Sequence, residues 1–438
     1  MPARLLPRLG VALAATALLA TGCTQNTAPH AARADGDPAR SPVFTITDDG
    51  CSLSTDSLPG GAVTIKIVNQ GSVPNEFEIL AEDKLRIVAE KENIGPGTTT
   101  NLTTALTEGT YHTACKPNMV GALQGVAPLK VTPGSAPSVN ADTAALEKKA
   151  VDSYTAYVKD QAGQLVAATE AFATAYTAGD TATAKARYAS ARAHYERIEP
   201  TAESFGLKEP GDLDAALDAR IQDLSADAGA SVSDPAVLST WTGWHRIEAD
   251  LWSGPRSPFA FKDQAARKAA ADDLVANTRT LYDLVHGKAK GASGAFELTL
   301  ADVVKGASGL LEEVATSKIV GEEETFSHTD LADFKANVEG ARVAYGTVQE
   351  LVRRADADLD AEIEQAFEDL DARLARHRDG KDSEGNPRWV DYSRIASVQK
   401  DAGEAPRASS YTEEQRKLSD EVNVLSEKLS KVAGTILH

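Results

Sequence analysis

Within the segment Thr242–Trp252, two side chains able to hold a metal ion stand one helical turn apart. At about 100° per residue, His245 and Glu248 fall on the stripe that also carries Trp241, Trp244 and Trp252. Three of the chain's four tryptophans crowd into this stretch, so the stripe is expected to face a core. An imidazole and a carboxylate on a buried stripe need a partner charge or a metal. The pattern is not that of the zinc peptidases: Ala249 stands where the inverted motif would close with a second histidine.

Other acids also sit oddly among apolar neighbours. In the run 186–200, Glu199 projects with Tyr188 and Tyr195, while Glu196 lies to one side. In the run 303–320, Val303, Val304, Ala307, Leu310, Leu311 and Val314 form an apolar stripe. Glu312 points away from that stripe and Glu313 lies nearer its edge. Periodicity therefore favours Glu199 and Glu313 as inward carboxylates, an arginine ion pair being the competing role for each. Asp330 reads as the far end of a capping box begun at Ser327. Carboxylates with one imidazole make a hard, oxygen-rich ligand set, for which iron is a better fit than zinc.

Three cysteines raise a second possibility. Cys51 and Cys115 read either as a disulfide or, with a carboxylate from Glu76 or Glu78, as a transition-metal site. Strand alternation puts both glutamates on one face and does not choose between them. His112 and Met119 are further candidate ligands, and surface or core positions are their ordinary roles. The third cysteine, Cys23, ends an apolar run that follows Arg4 and Arg8. That arrangement resembles the lipobox of bacterial lipoproteins, with Ala20 in place of the usual leucine, and implies export with lipidation at Cys23.

The elements that must position these residues change character along the chain. Residues 1–22 form the export signal and 23–41 a small, polar tether. Residues 42–132 contain short alternating runs such as Val63–Asn69, broken by Gly- and Pro-rich turns, and predict a β-sandwich. A linker follows at 133–142. Residues 143–438 have helical periodicity throughout, with Leu213, Leu217, Ile221 and Leu224 on one helix, and predict a bundle of two packed lobes. The formal net charge is −19. Without residues 1–22, 43 basic side chains stand against 64 acidic ones, which disfavours nucleic acid and suits cations.

Residues 109–131 resemble the copper loop of cupredoxins, with a strand ending in Cys115 and Met119 four positions on. The two histidines of a blue-copper centre are missing. The runs 194–200, 212–220, 242–252, 309–331 and 333–341 resemble the imelysin-like domain of EfeO-type iron-uptake proteins, and the order of the two domains matches that family. The resemblance implies an iron site at His245 and Glu248, with Glu199, Asp218, Glu312 and Glu313 as additional acids. It also implies a copper or other transition-metal site at Cys51, Glu76 and Cys115, with copper-assisted oxidation of ferrous iron. The partners it implies are a membrane iron permease and a haem-containing, dye-decolourising-type peroxidase, outside the cytoplasmic membrane. A metallopeptidase of the imelysin-like class and a non-catalytic binding module are the alternatives.

Overall fold

The computed structural model describes residues 41–437, except 81, 83–86, 107, 119–122, 135–140, 206–212, 292–293, 383–384 and 400–404. The expected export signal, Cys23, nearly all of the tether, Met119 and most of the linker lie outside the described residues.

Nine strands come first: β1 (Val43–Thr47), β2 (Gly50–Leu53), β3 (Ser57–Pro59), β4 (Gly61–Asn69), β5 (Asn75–Leu80), β6 (Ile87–Ile94), β7 (Thr99–Leu106), β8 (Gly109–Pro117) and β9 (Gln124–Thr132). They form two sheets, ordered β2-β1-β4-β7 and β3-β9-β8-β5-β6. Both sheets contribute to one apolar cluster, from Phe44, Ile46 and Ile65 on one side to Phe77, Leu129 and Val131 on the other. In β4 the expected alternation holds, Val63, Ile65 and Ile67 being buried and Thr64 and Lys66 exposed. The β-sandwich forms because each sheet buries one such face.

Among the described residues twelve α-helices follow: α1 (Ala141–Thr177), α2 (Thr181–Glu196), α3 (Glu199–Glu203), α4 (Leu213–Asp218), α5 (Ile221–Ala228), α6 (Pro235–Thr240), α7 (Gly243–Trp252), α8 (Gln264–Val285), α9 (Leu300–Thr316), α10 (Asp330–Ala355), α11 (Ala357–Ala375) and α12 (Glu413–Ile436). Helices α1, α2, α4, α7 and α8 pack as one group and α9 to α12 as another, with α10 running against both. One apolar core is continuous through the two groups. None of the helices among the described residues is long and apolar enough to cross a membrane.

Two details differ from the periodic reading. The helix expected through Leu213, Leu217, Ile221 and Leu224 is broken after Asp218, because Arg220 is extended. Helix α7 is buried on every side from Gly243 to Leu251, and of the three tryptophans only Trp244 and Trp252 share a neighbour, Tyr188. Trp244 enters the main core against Phe172 and Tyr188. Trp241 precedes the helix and packs on Phe259 in a satellite core.

Strand β5 is buried on both faces. Phe77 and Ile79 enter the sandwich. Glu76 and Glu78 point the other way, toward the helices, where Lys305 of α9 meets Glu90 of β6 at 3.3 Å. Sandwich and bundle are thus joined by a charged seam.

Candidate metal centre

The seat of His245 is made by backbone contact between α4 and α7. Gly243 has φ +83°, and a Cβ there would lie 2.1 Å from the carbonyl oxygen of Leu217. Only glycine permits this approach. Thr242 Oγ1 donates to the Ala216 carbonyl at 3.0 Å, and Trp241 Nε1 donates to that of Ala219 at 2.6 Å. The first turn of α7 is thereby fixed against the end of α4, and Asp218 comes to face His245.

Both nitrogens of the His245 ring then meet carboxylates. Nε2 lies 3.3 Å from Asp218 Oδ1 and 3.3 Å from Glu323 Oε1. Nδ1 lies 3.3 Å from Glu248 Oε2. The other Glu248 oxygen accepts from the backbone N–H groups of Phe326 and Ser327, at 2.9 and 2.7 Å, which fixes the carboxylate's orientation. Three overlapping groups have ligand atoms within 4.8 Å of one another: Asp218, His245 and Glu323; His245, Glu248 and Glu324; and Glu196, Glu199, Asp218 and Glu323. All of these side chains are buried.

Two further cations complete the cluster. Arg192 pairs with Glu196 and Asp218, reaches Glu323 at 2.9 Å, and lies 2.8 Å from Glu324. Lys318 Nζ lies 2.6 Å from Glu196 Oε2 and 3.0 Å from Glu199 Oε2. Asp330 and Asp333 of α10 are fully buried beside them, and Asp333 Oδ1 is 3.8 Å from Arg192 Nε. Eight buried acids (Glu196, Glu199, Asp218, Glu248, Glu323, Glu324, Asp330 and Asp333) stand against three bases, Arg192, Lys318 and His245. Even with the imidazole charged, and with the partly exposed Arg220 reaching Glu323 Oε2 at 3.1 Å, four carboxylates are in excess.

Burial of that excess perturbs several of these groups. Burial opposes a charged His245, but the Asp218 charge and the hydrogen bonds its ring donates to Asp218 and Glu248 outweigh it and hold its pKa well above the usual value. Burial, reinforced by Glu324, pushes Glu248 up to about 7. Burial and Glu313 push Glu199 well up, and burial and Glu324 do the same for Asp330 and Asp333. At Glu323, burial is overcome by Lys318, His245 and Arg220, which hold the carboxyl well below its usual range. A multivalent cation would relieve this crowding and take oxygen and nitrogen donors already aimed inward.

The expected residues divide accordingly. His245, Glu248, Asp218 and Glu199 come together. Glu313 stands at the rim, 3.7 Å from Lys318, with its side chain 19% exposed. Glu312 turns away from the cluster and pairs with Lys91 of the β-sandwich. Glu196 belongs to the cluster after all, one turn from Arg192. The capping box expected at Ser327 and Asp330 does not form. Thr329 caps α10 without a side-chain bond, and the Ser327 N–H is taken by Glu248. Glu323, Glu324, Asp333, Arg192 and Lys318 were not singled out by pattern. The run Gly321–Thr325 lies largely outside regular helix, where periodicity has nothing to measure, and only its density of acid was a signal.

The expected set Cys51, Glu76 and Cys115 does not converge. Cys51 and Cys115 form a disulfide that ties β2 to β8 across the sandwich. Cys115 pairs in register with Phe77, and both face the interior. Glu76 and Glu78, opposite Lys116 and Ala114, project from the other side of the sheet, as does His112. Neighbours in a strand point to opposite faces, so neither glutamate can join the cysteines.

Comparison with known proteins fits both halves of the molecule. The imelysin family profile matches residues 150–432 and a cupredoxin-like domain profile matches 11–126. The chain belongs to the imelysin family, in the EfeO-type arrangement of a cupredoxin-like domain followed by an imelysin domain. It is 35% identical to the iron uptake system component EfeO of Yersinia pestis over 355 residues, covering 81% of this chain and 85% of the relative. It is 36% identical to the protein of the same description from Escherichia coli (strain K12) over 336 residues, covering 76% and 80%.

Proposed function

We propose that this protein is the extracytoplasmic iron-binding component of a ferrous-iron uptake system. It captures iron in the helical domain and passes it to a membrane permease, beside a haem-containing peroxidase and tethered through lipidated Cys23. The observation that carries the reading is the convergence of carboxylates on both ring nitrogens of His245, inside a buried cluster with four more acids than bases. His245, Glu248, Asp218 and Glu323 are the principal donors, with Glu324, Glu196 and Glu199 adjoining. Iron is the cargo here. The relatives' description as iron uptake components supports this choice of metal. Copper-assisted oxidation at Cys51, Glu76 and Cys115 is not part of the proposal, since the thiols are joined and Glu76 lies across the sheet.

The test is iron bound per chain after ferrous loading and desalting. The wild type should retain iron and a His245→Ala/Glu248→Ala variant should lose it, with helix content unchanged by circular dichroism. Equal iron in both would show that the two residues are a buried ion pair and nothing more.

A further inference from the structure

Two buried permanent cations of the centre, Arg192 and Lys318, are held in unlike ways. Arg192 projects from the body of α2 and is gripped by Glu196, Asp218, Glu323 and Glu324. A guanidinium fork held by several carboxylates is a fixed part of the wall. Lys318 comes instead from a short turn, Lys318–Val320, placed between α9 and the irregular segment that ends at Thr329. Its ammonium is a point charge on a flexible stem.

That ammonium occupies a cage of oxygens. Besides Glu196 and Glu199 at 2.6 and 3.0 Å, Glu313 Oε2 and Glu323 Oε1 each lie 3.7 Å away. Glu196, Glu199 and Glu323 are also, with Asp218, one of the groups whose oxygens could surround a metal ion. A hard cation seeks the same oxygen donors as an ammonium, at somewhat shorter range. Around the cage, acceptors remain untaken: both oxygens of Asp333 and Oδ1 of Asn337 are fully buried without a hydrogen-bond partner. Asn337 Nδ2 meanwhile donates to Glu196 Oε2 at 3.1 Å. The cage therefore has more acceptor capacity than Lys318 uses.

We propose that Lys318 is a tethered cation that competes with the cargo metal for the cage of Glu196, Glu199, Glu313 and Glu323, yielding its place when the ion enters and helping to expel the ion when it returns. The inference rests on the metal-capture reading above. An ammonium and a metal ion a few ångströms apart in a buried site repel strongly, so the two cannot share the same oxygens. For a carrier, such a competitor lowers affinity and speeds release without removing a single ligand. Glu313, the cage's partly exposed member, marks the side from which exchange proceeds.

The test compares the full-length wild type with Lys318→Met, Lys318→Arg and His245→Ala/Glu248→Ala under anaerobic conditions. Ferrous affinity is read by equilibrium dialysis and release by stopped-flow transfer to a chelator. Lys318→Met should bind iron at least tenfold more tightly, or hold one ion more per chain, and release it at least tenfold more slowly. Lys318→Arg should bind no more tightly than wild type. Unchanged affinity and release in Lys318→Met, with iron still lost in the His245/Glu248 variant, would overturn the role of Lys318 and leave the capture reading standing. Iron bound by none of the proteins would overturn both. Should Lys318→Met fail to fold, a crystal structure of the wild type loaded with Mn²⁺ decides. Lys318 Nζ should have left Glu196 and Glu199, and a bound ion with both contacts intact would overturn the proposal.

Discussion

The molecule buries charge in two places, and only one of them looks like a binding site. Along the seam between sandwich and bundle, acids and bases alternate: Lys305 meets Glu90, and Lys91 meets Glu312. There Glu90 and Glu312 each have a lysine from the opposite domain, and the result is a structural joint. Inside the bundle the acids outnumber the bases, several carboxylate oxygens lack partners, and an imidazole stands among them. Burial of charge is common to both, so burial alone carries no functional meaning. What separates the two places is the imbalance, together with the aim of the donors toward one volume.

Removing a cation from the imbalanced cluster should therefore hurt most. Arg192→Met removes the cation that Glu196, Asp218, Glu323 and Glu324 share, and is expected to cost about 3–5 kcal/mol, read from denaturant unfolding. Added iron should restore part of that loss, because an ion bound only by the folded state stabilises it. A variant as stable as wild type would show that the acids are neutralised by protonation alone.

Next in size is the disulfide. Replacing both Cys51 and Cys115 by serine opens a loop with a sequence separation of 64 residues, worth about 4 kcal/mol in the chain-entropy view. Melting followed by near-ultraviolet circular dichroism should register the loss, while iron per chain stays the same. A fall in iron content would break the separation drawn here between the two domains.

The seam itself should respond to pH through Glu78, whose carboxyl burial pushes up to about 7. Its folded pKa exceeds the ordinary value of 4.5, so its contribution is full below about pH 4.5 and lost as pH rises through 7. Wild type should lose about 2–3 kcal/mol more than Glu78→Gln between pH 4.5 and pH 8. Parallel pH profiles for the two proteins would count against a buried, protonated Glu78. Smallest of all, Glu312→Gln should cost about 1 kcal/mol or less and leave iron binding untouched, since Glu312 faces Lys91.

How far these features could be read in the sequence follows from local geometry. His245 and Glu248 were legible because both lie within one short helix, where three residues make nearly a full turn. Adjacent Glu312 and Glu313 diverge by about 100°, and Glu313, nearer the edge of the apolar stripe, is the one on the Lys318 side. Asp218 was not legible from pattern, because its apparent helix is two helices and the phase is lost at Arg220. Glu323 and Glu324 lie where the chain has no period at all. In the sandwich, Cys51 and Cys115 were legible as a pair, but the register that separates Glu76 from Cys115 belongs to the pairing of β5 with β8. The two domains themselves were plain, because alternation and helical periodicity each persist over many residues.

The close seat of Gly243 against Leu217 has a consequence in time. The donors around His245 come from α2, α3, α4, α7 and the segment after α9, and nothing brings them together until α7 is docked on α4. An unfolded chain holds only fragments of the site, so on the proposed reading an ion is captured only once the chain has folded. Oxygen- and nitrogen-rich sites rank divalent metals by intrinsic affinity, and copper and zinc bind above ferrous iron. The place where this chain folds therefore governs which ion reaches the completed centre first.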